Sequence, residues 1–206
     1  MFGEPQTLLQ PRTLSEAAWP RSMRPRAALL RDAGLIVAFS LFVALCARIS
    51  IALPFTPVPI TGQTLAVLLT GAALGSRRGA LALLLYLAEG AAGLPVFANG
   101  AAGAGWIIGP TGGFLLSFPV AAFVTGALAE RGWDRSLPGA ALAMLLGNVL
   151  IYLIGLPWLG IYKDILFKTS LLQAGLFPFV IGDLLKIAVA ALVLPSAWRL
   201  VGMRRR

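Results

Sequence analysis

The sequence predicts an all-α integral membrane protein of six transmembrane helices. Three observations carry that expectation: 58% of the residues are hydrophobic, only 12% are charged, and apolar runs recur along most of the 206 residues. Soluble domains run at about 45–50% apolar and about 25% charged, so this chain has too little charge to cover a water-facing surface. Soluble enzymes, secreted domains and disordered regulators are excluded at this step. A spanning helix takes roughly 20 apolar residues, which leaves room for roughly five to seven spans and little else.

The elements follow in order. Residues 1–31 carry Arg12, Arg21, Arg24, Arg26 and Arg31. They read as a basic cytoplasmic tail with a mobile start and an interfacial piece near Trp19. The 19-residue apolar run 35–53 comes next. It is too long for the apolar core of a secretory signal and long enough to span, and Pro54, Pro57 and Pro59 stop it. Shorter helices are expected at 61–74 and 80–92, joined by a turn holding Arg77 and Arg78. A Gly-rich stretch, 93–110, precedes helices at 113–129, 139–159 and 177–199. The expected domains are therefore the tail 1–31, a six-helix membrane domain 32–202 and a basic end 203–206.

Charge orients this bundle. With both termini inside, thirteen Arg fall on the inner side (the tail, Arg77, Arg78, Arg131, Arg135, Arg199 and 204–206) and only Lys163 and Lys168 outside. Cytoplasmic segments carry such an excess of Lys and Arg. The net charge of +9 has this reading rather than nucleic-acid binding, because aromatic residues are not interleaved with the basic ones. The Pro-rich and Gly-rich loops then lie outside, and a ligand pocket beneath them opens outward.

Polar residues at membrane depth are the candidates for function. Asp183 and Lys186 lie three residues apart on one helix face, and each costs about 2.5–3.5 kcal/mol to insert. Together they offer an acceptor and three donors, which suits a small ligand bearing N–H and C=O groups. Asn99, in the Gly-rich stretch, gives and accepts in one plane. Thr61, Gln63 and Thr64 open the second helix, with Thr61 either an N-cap or a pocket wall. Glu89 either faces the same cavity or reaches solvent, and Arg48 either snorkels outward or neutralises Glu89 or Asp183. Small residues at four-residue spacing, Gly34/Ala38 and Gly71/Gly75, suit close helix packing. No Walker A sequence, nucleophile elbow or His is present, and the single Cys46 excludes a disulfide within the chain. Recognition is favoured over catalysis, with a lipid-modifying enzyme using Lys186 as the alternative.

Four landmarks in order resemble one family: Pro57-Val58-Pro59-Ile60-Thr61-Gly62-Gln63-Thr64, Gly93-Leu94-Pro95-Val96-Phe97, Gly109-Pro110-Thr111-Gly112-Gly113-Phe114 and Gly182-Asp183-Leu184-Leu185-Lys186. Over about residues 35–195 the chain is similar to BioY, the biotin-specific component of energy-coupling-factor (ECF) vitamin transporters. The resemblance implies biotin capture from outside, with the ureido group held by Asn99, Asp183 and Lys186, and Gln63, Thr61 and Tyr86 as pocket-wall candidates. It implies no cofactor, and partners in a transmembrane coupling protein docking on Gly34 and Ala38 and a pair of ATPases. Membrane lipid and a second copy of the chain are further possible partners, and the bacterial cytoplasmic membrane is the expected location. The Gly-rich loop holds no Lys or Arg to meet the ligand carboxylate. Thiamin or riboflavin is the alternative ligand.

Overall fold

A computed structural model describes residues 11–20, 22–165 and 168–203. Arg21 and Arg204–Arg206, counted in the charge argument, lie outside the described residues, as do residues 1–10. The elements are α1 (Leu14–Ala18), α2 (Pro25–Ala47), β1 (Ser50–Leu53), β2 (Thr56–Thr61), α3 (Gln63–Leu74), α4 (Ser76–Ala91), α5 (Gly105–Ile108), α6 (Gly112–Ala129), α7 (Leu137–Tyr162), α8 (Thr169–Gly175) and α9 (Phe177–Met203), with one-turn 3₁₀ segments at Ala98–Gly100 and Trp133–Arg135.

A helix occupies each of the six expected places. Four of them, α2, α6, α7 and α9, are long and apolar enough to cross a membrane. The other two, α3 and α4, have 12 and 16 residues. At 1.5 Å per residue α3 is about 18 Å long, well short of the roughly 30 Å hydrocarbon layer. The ribbon of β1 and β2 runs into α3, and Gly75 alone separates α3 from α4. A short helix at this point therefore leaves a depression in the bundle.

The all-α expectation needs one correction, because the first helix ends at Ala47 and residues 50–61 form an antiparallel ribbon. An apolar run by itself does not distinguish a helix from a strand. The ribbon pairs Ser50 with Thr61, Ile51 with Ile60 and Leu53 with Thr56. Gly62 N–H bonds to Ile49 O at 2.9 Å, and the register shifts between the Ile51–Ile60 and Leu53–Thr56 pairs, where Val58 N–H bonds to Thr56 Oγ1 at 3.2 Å. Pro57 and Pro59 lie in the shifted stretch, and such irregularities are places where a strand tolerates proline. Thr61 belongs to this strand, and Gly62 stands at the N-cap of α3.

At the core is α6, with 72% of its most apolar stretch buried against 22% for α2, and it packs on α3, α4 and α7. The contact is backbone to backbone: a Cβ placed on Gly71 would lie 2.3 Å from Ala122 O. Small residues permit such approach in lipid. The large hydrophobics exposed on α2 and α9, such as Leu45 and Ile181, lie on helices that cross the membrane.

One end of the bundle is tied by charge. The first long helix begins at Pro25, so the boundary expected at residue 31 falls inside it. Residues 11–19 before it are docked on the bundle. Arg31, 4% exposed, donates to Ser15 O at 2.8 Å and Trp19 O at 2.5 Å. Arg78 bridges Glu16 at 2.7 Å and Asp32 at 3.2 Å, and Arg135 donates to Pro11 O at 2.9 Å. The N-terminal segment, the α3/α4 turn and the α6/α7 turn thus share one end. At the other end Thr56 donates to Ala174 O at 2.6 Å, and Arg48 to Pro95 O at 2.6 Å. Arg48 is therefore a fastener of the Gly-rich loop, and does not pair with Glu89 or Asp183 as the sequence reading had allowed.

Asp134, in the α6/α7 turn, is fully buried beside Trp198, whose Nε1 donates to Oδ2 at 2.6 Å. Oδ1 has no hydrogen-bond partner. Burial pushes this carboxyl from 3.8 up to about 6, with the Trp198 hydrogen bond and Arg135 offsetting part of the rise. A folded-state pKa above the unfolded one means that the folded protein holds the extra proton between about pH 4 and 6. Stability is then highest at the acid end of that window and falls by about 3 kcal/mol as pH rises through 6. Asp134→Asn is expected to raise the melting temperature in detergent at pH 8 and to raise it only about a third as much at pH 4.5. An equal shift at both pH values would contradict the assignment.

Candidate ligand-binding site

The depression above α3 is a cavity of about 70 Å³. The ribbon contributes Val58, Pro59 and Thr61, and α3 contributes Gln63 and Thr64. Aromatic rings from four segments, Phe97, Trp106, Phe114 and Phe179, line the apolar wall together with Leu115, Phe118 and Ile151. Predominantly apolar walls with a few converging polar groups are the usual character of a small-molecule site.

The polar groups converge on α9. Asp183 is 5% exposed, and its Oδ1 accepts from Lys186 Nζ at 3.1 Å. Its other oxygen accepts from the Tyr152 hydroxyl on α7. Lys186 Nζ also donates to Thr64 Oγ1 on α3 at 2.8 Å. Three helices are thus joined through one ion pair, with both charges partnered as burial in lipid demands. Phe114 meets the Tyr152 ring edge-on at 6.3 Å, holding the phenol in place.

A second chain of contacts supports the roof. Gln63 Nε2 donates to Tyr86 Oη at 2.6 Å, and Tyr86 Oη donates to Val96 O at 3.0 Å. The Phe97 ring packs edge-on against Tyr86 at 5.6 Å. Tyr86 stands behind the wall rather than in it, whereas Gln63 and Thr61 line the cavity. Gln63 N donates to Thr61 Oγ1 at 3.2 Å, fixing the corner between ribbon and helix.

Of the residues expected to converge, Asp183 and Lys186 meet. Asn99 does not join them. It is exposed, in the left-handed region at φ 56°, and lines a neighbouring outer cavity with Leu53, Thr56 and Trp106. Pro59, Ala98 and Trp106 border both cavities. Glu89 accepts from Ser40 Oγ at 2.5 Å, tying α4 to α2, and takes no part in the pocket. Gly34 and Ala38 lie on exposed α2 surface. Tyr152 is the contact that sequence reading missed; a tyrosine deep in an apolar helix is its only trace in the sequence. Among the described residues no group of three or more His, Cys, Asp or Glu is placed to hold a metal.

Residues 17–203 match the model of the BioY family. The chain belongs to the BioY family. A protein named probable biotin transporter BioY from Pyrococcus horikoshii is 36% identical over 163 residues, covering 79% of this chain and 93% of the relative. The biotin transporter BioY of Rhizobium etli is 39% identical over 171 residues, covering 79% and 90%, and that of Rhodobacter capsulatus 41% over 169, covering 73% and 88%. A crystal structure described as the S-component for biotin from an ECF-type ABC transporter superposes with a TM-score of 0.76 at 23% identity, covering 86% of this chain and 95% of that one. At that identity the superposition establishes a shared fold. This BioY-family chain is a multi-pass membrane protein of a transporter family, which sets aside the lipid-modifying enzyme considered from its lysine.

Proposed function

We propose that this BioY-family protein captures biotin from outside the cell as the substrate-specific component of an ECF-type transporter. The observation that carries the reading is the Asp183–Lys186 pair, held by Tyr152 and Thr64 at the polar end of an otherwise apolar cavity. A carboxylate has about four acceptor positions and an ammonium three donors. Two of each are used within the protein, so acceptor positions and one N–H are left for a ligand. A cyclic urea presents two N–H groups and one C=O, the complement of that remainder. Asn99 and Gln63 are proposed as further contacts, with the loop bearing Asn99 closing over the ring.

Six spans follow on this reading, α2, α3, α4, α6, α7 and α9, with both termini cytoplasmic. The clustering of Arg31, Arg78 and Arg135 at one end of the bundle supports it through the positive-inside bias. The exposed small residues Gly34 and Ala38 are the proposed contact for a membrane coupling protein, which a separate ATPase pair would energise. Calorimetry on the purified protein in detergent tests the reading. Biotin is expected to bind tightly and saturably without ATP, and thiamin and riboflavin are expected to give no heat. A folded sample that binds no biotin overturns it.

A further inference from the structure

A second, smaller cavity lies on the inner side of the Asp183–Lys186 pair, lined by Thr64, Asp183, Lys186 and Asn148 and by apolar residues of α3, α7 and α9. Asn148 is four residues before Tyr152 on α7, so it stands on the same helix face one turn further in. It is 7% exposed, and its side-chain amide bonds to none of the described residues. The amide opens onto this cavity, so its hydrogen bonds fall to whatever fills the space. Thr64 is also unfinished. Its Oγ1 accepts from Lys186, and its own hydroxyl proton has no acceptor among the described residues. The space between is about 10 Å³, close to the smallest cavity that holds one water.

We infer that Asn148 is a positioning residue for the ligand site, acting through a single water that it holds beneath Thr64. The water accepts the Thr64 hydroxyl proton and is held by the Asn148 amide. This turns a Thr64 lone pair towards Lys186 and leaves the third ammonium N–H for the ligand carbonyl. The cavity is too small for a ring, so its occupant is water rather than biotin itself. The inference deepens the proposed biotin site and rests on that reading.

Asn148→Leu separates this role from a packing role. Leucine of similar size removes an unpartnered amide, so the melting temperature without ligand is expected to hold or rise. Biotin affinity is expected to fall about 10-fold, and Asn148→Ser, which keeps a group able to hold the water, to recover most of it. Unchanged affinity in Asn148→Leu overturns the inference. A high-resolution crystal structure of the ligand-free protein gives an independent reading that does not depend on which vitamin binds. Density within hydrogen-bonding distance of both Asn148 and Thr64 supports the inference, and side chains closed directly onto one another overturn it. Absence of biotin binding by the unaltered protein counts against the functional reading, and the crystallographic result then decides the role of Asn148.

Discussion

Asp183→Leu is expected to abolish biotin binding and to destabilise the bundle. The substitution leaves the half-buried Lys186 ammonium with one hydroxyl partner, Thr64, and the Tyr152 hydroxyl without its acceptor. Breaking a buried ion pair by removing one member costs about 3–5 kcal/mol, visible as a lower melting temperature and poorer recovery from the membrane. The double variant Asp183→Leu with Lys186→Leu removes both charges and is expected to regain stability without regaining binding. That divergence separates the pair's role in recognition from its role in folding. Asp183→Asn, which keeps shape and loses charge, is expected to weaken biotin by about 100-fold, equivalent to about 2.7 kcal/mol and within the range for truncated buried charge pairs. Binding undiminished in Asp183→Asn and in Lys186→Met would place the ligand elsewhere.

The second large effect is expected at Phe97. This residue is 1% exposed, stacked edge-on against Tyr86, and seated over Gly90 so closely that a Cβ there would fall 2.1 Å from its ring. It is the anchor by which the Gly-rich loop is pinned over the cavity, with Arg48 holding Pro95 beside it. Truncating a buried phenylalanine to alanine costs about 3–5 kcal/mol. Here the cost falls on the seat that holds the base of the loop, from which its Asn99 end is proposed to close. Biotin dissociation from Phe97→Ala is expected to accelerate at least 10-fold, with association changed much less, as is usual for changes at one binding site. Gly90→Leu evicts the same ring from the helix side and is expected to give the same kinetics. Stopped-flow measurement of fluorescent biotin release reads both, and a dissociation rate equal to wild type would show that the loop does not hold the ligand.

What the sequence made legible follows from energetics. Charge inside an apolar helix is expensive, so Asp183 and Lys186 stood out without any structure, and their spacing announced a pair. Helix locations were legible for the same reason, since runs of apolar residues are costly anywhere but in lipid or a core. Tyr152 was not legible, because a hydroxyl on an aromatic ring adds little to the cost and its partner lies 31 residues further along the chain. The ribbon was hidden because Ile51 and Leu53 suit a strand and a helix equally by polarity. Pro54, Pro57 and Pro59 read only as the stop of a helix. The docking of residues 11–19 was hidden by composition: Arg and Pro read as a tail until Arg31 and Arg78 find backbone carbonyls and carboxylates across the turn. Asn99 had the right chemistry but stands at the mouth, so its proposed role requires the loop to move.

The most direct test is a crystal structure of the protein with biotin bound. The ureido ring is expected against Asp183 and Lys186, between Tyr152 and the aromatic wall, with the 93–109 loop closed and Asn99 turned inward. Biotin lodged in the outer cavity beside Leu53 and Asn99, with the Asp183–Lys186 pair untouched, would contradict the account.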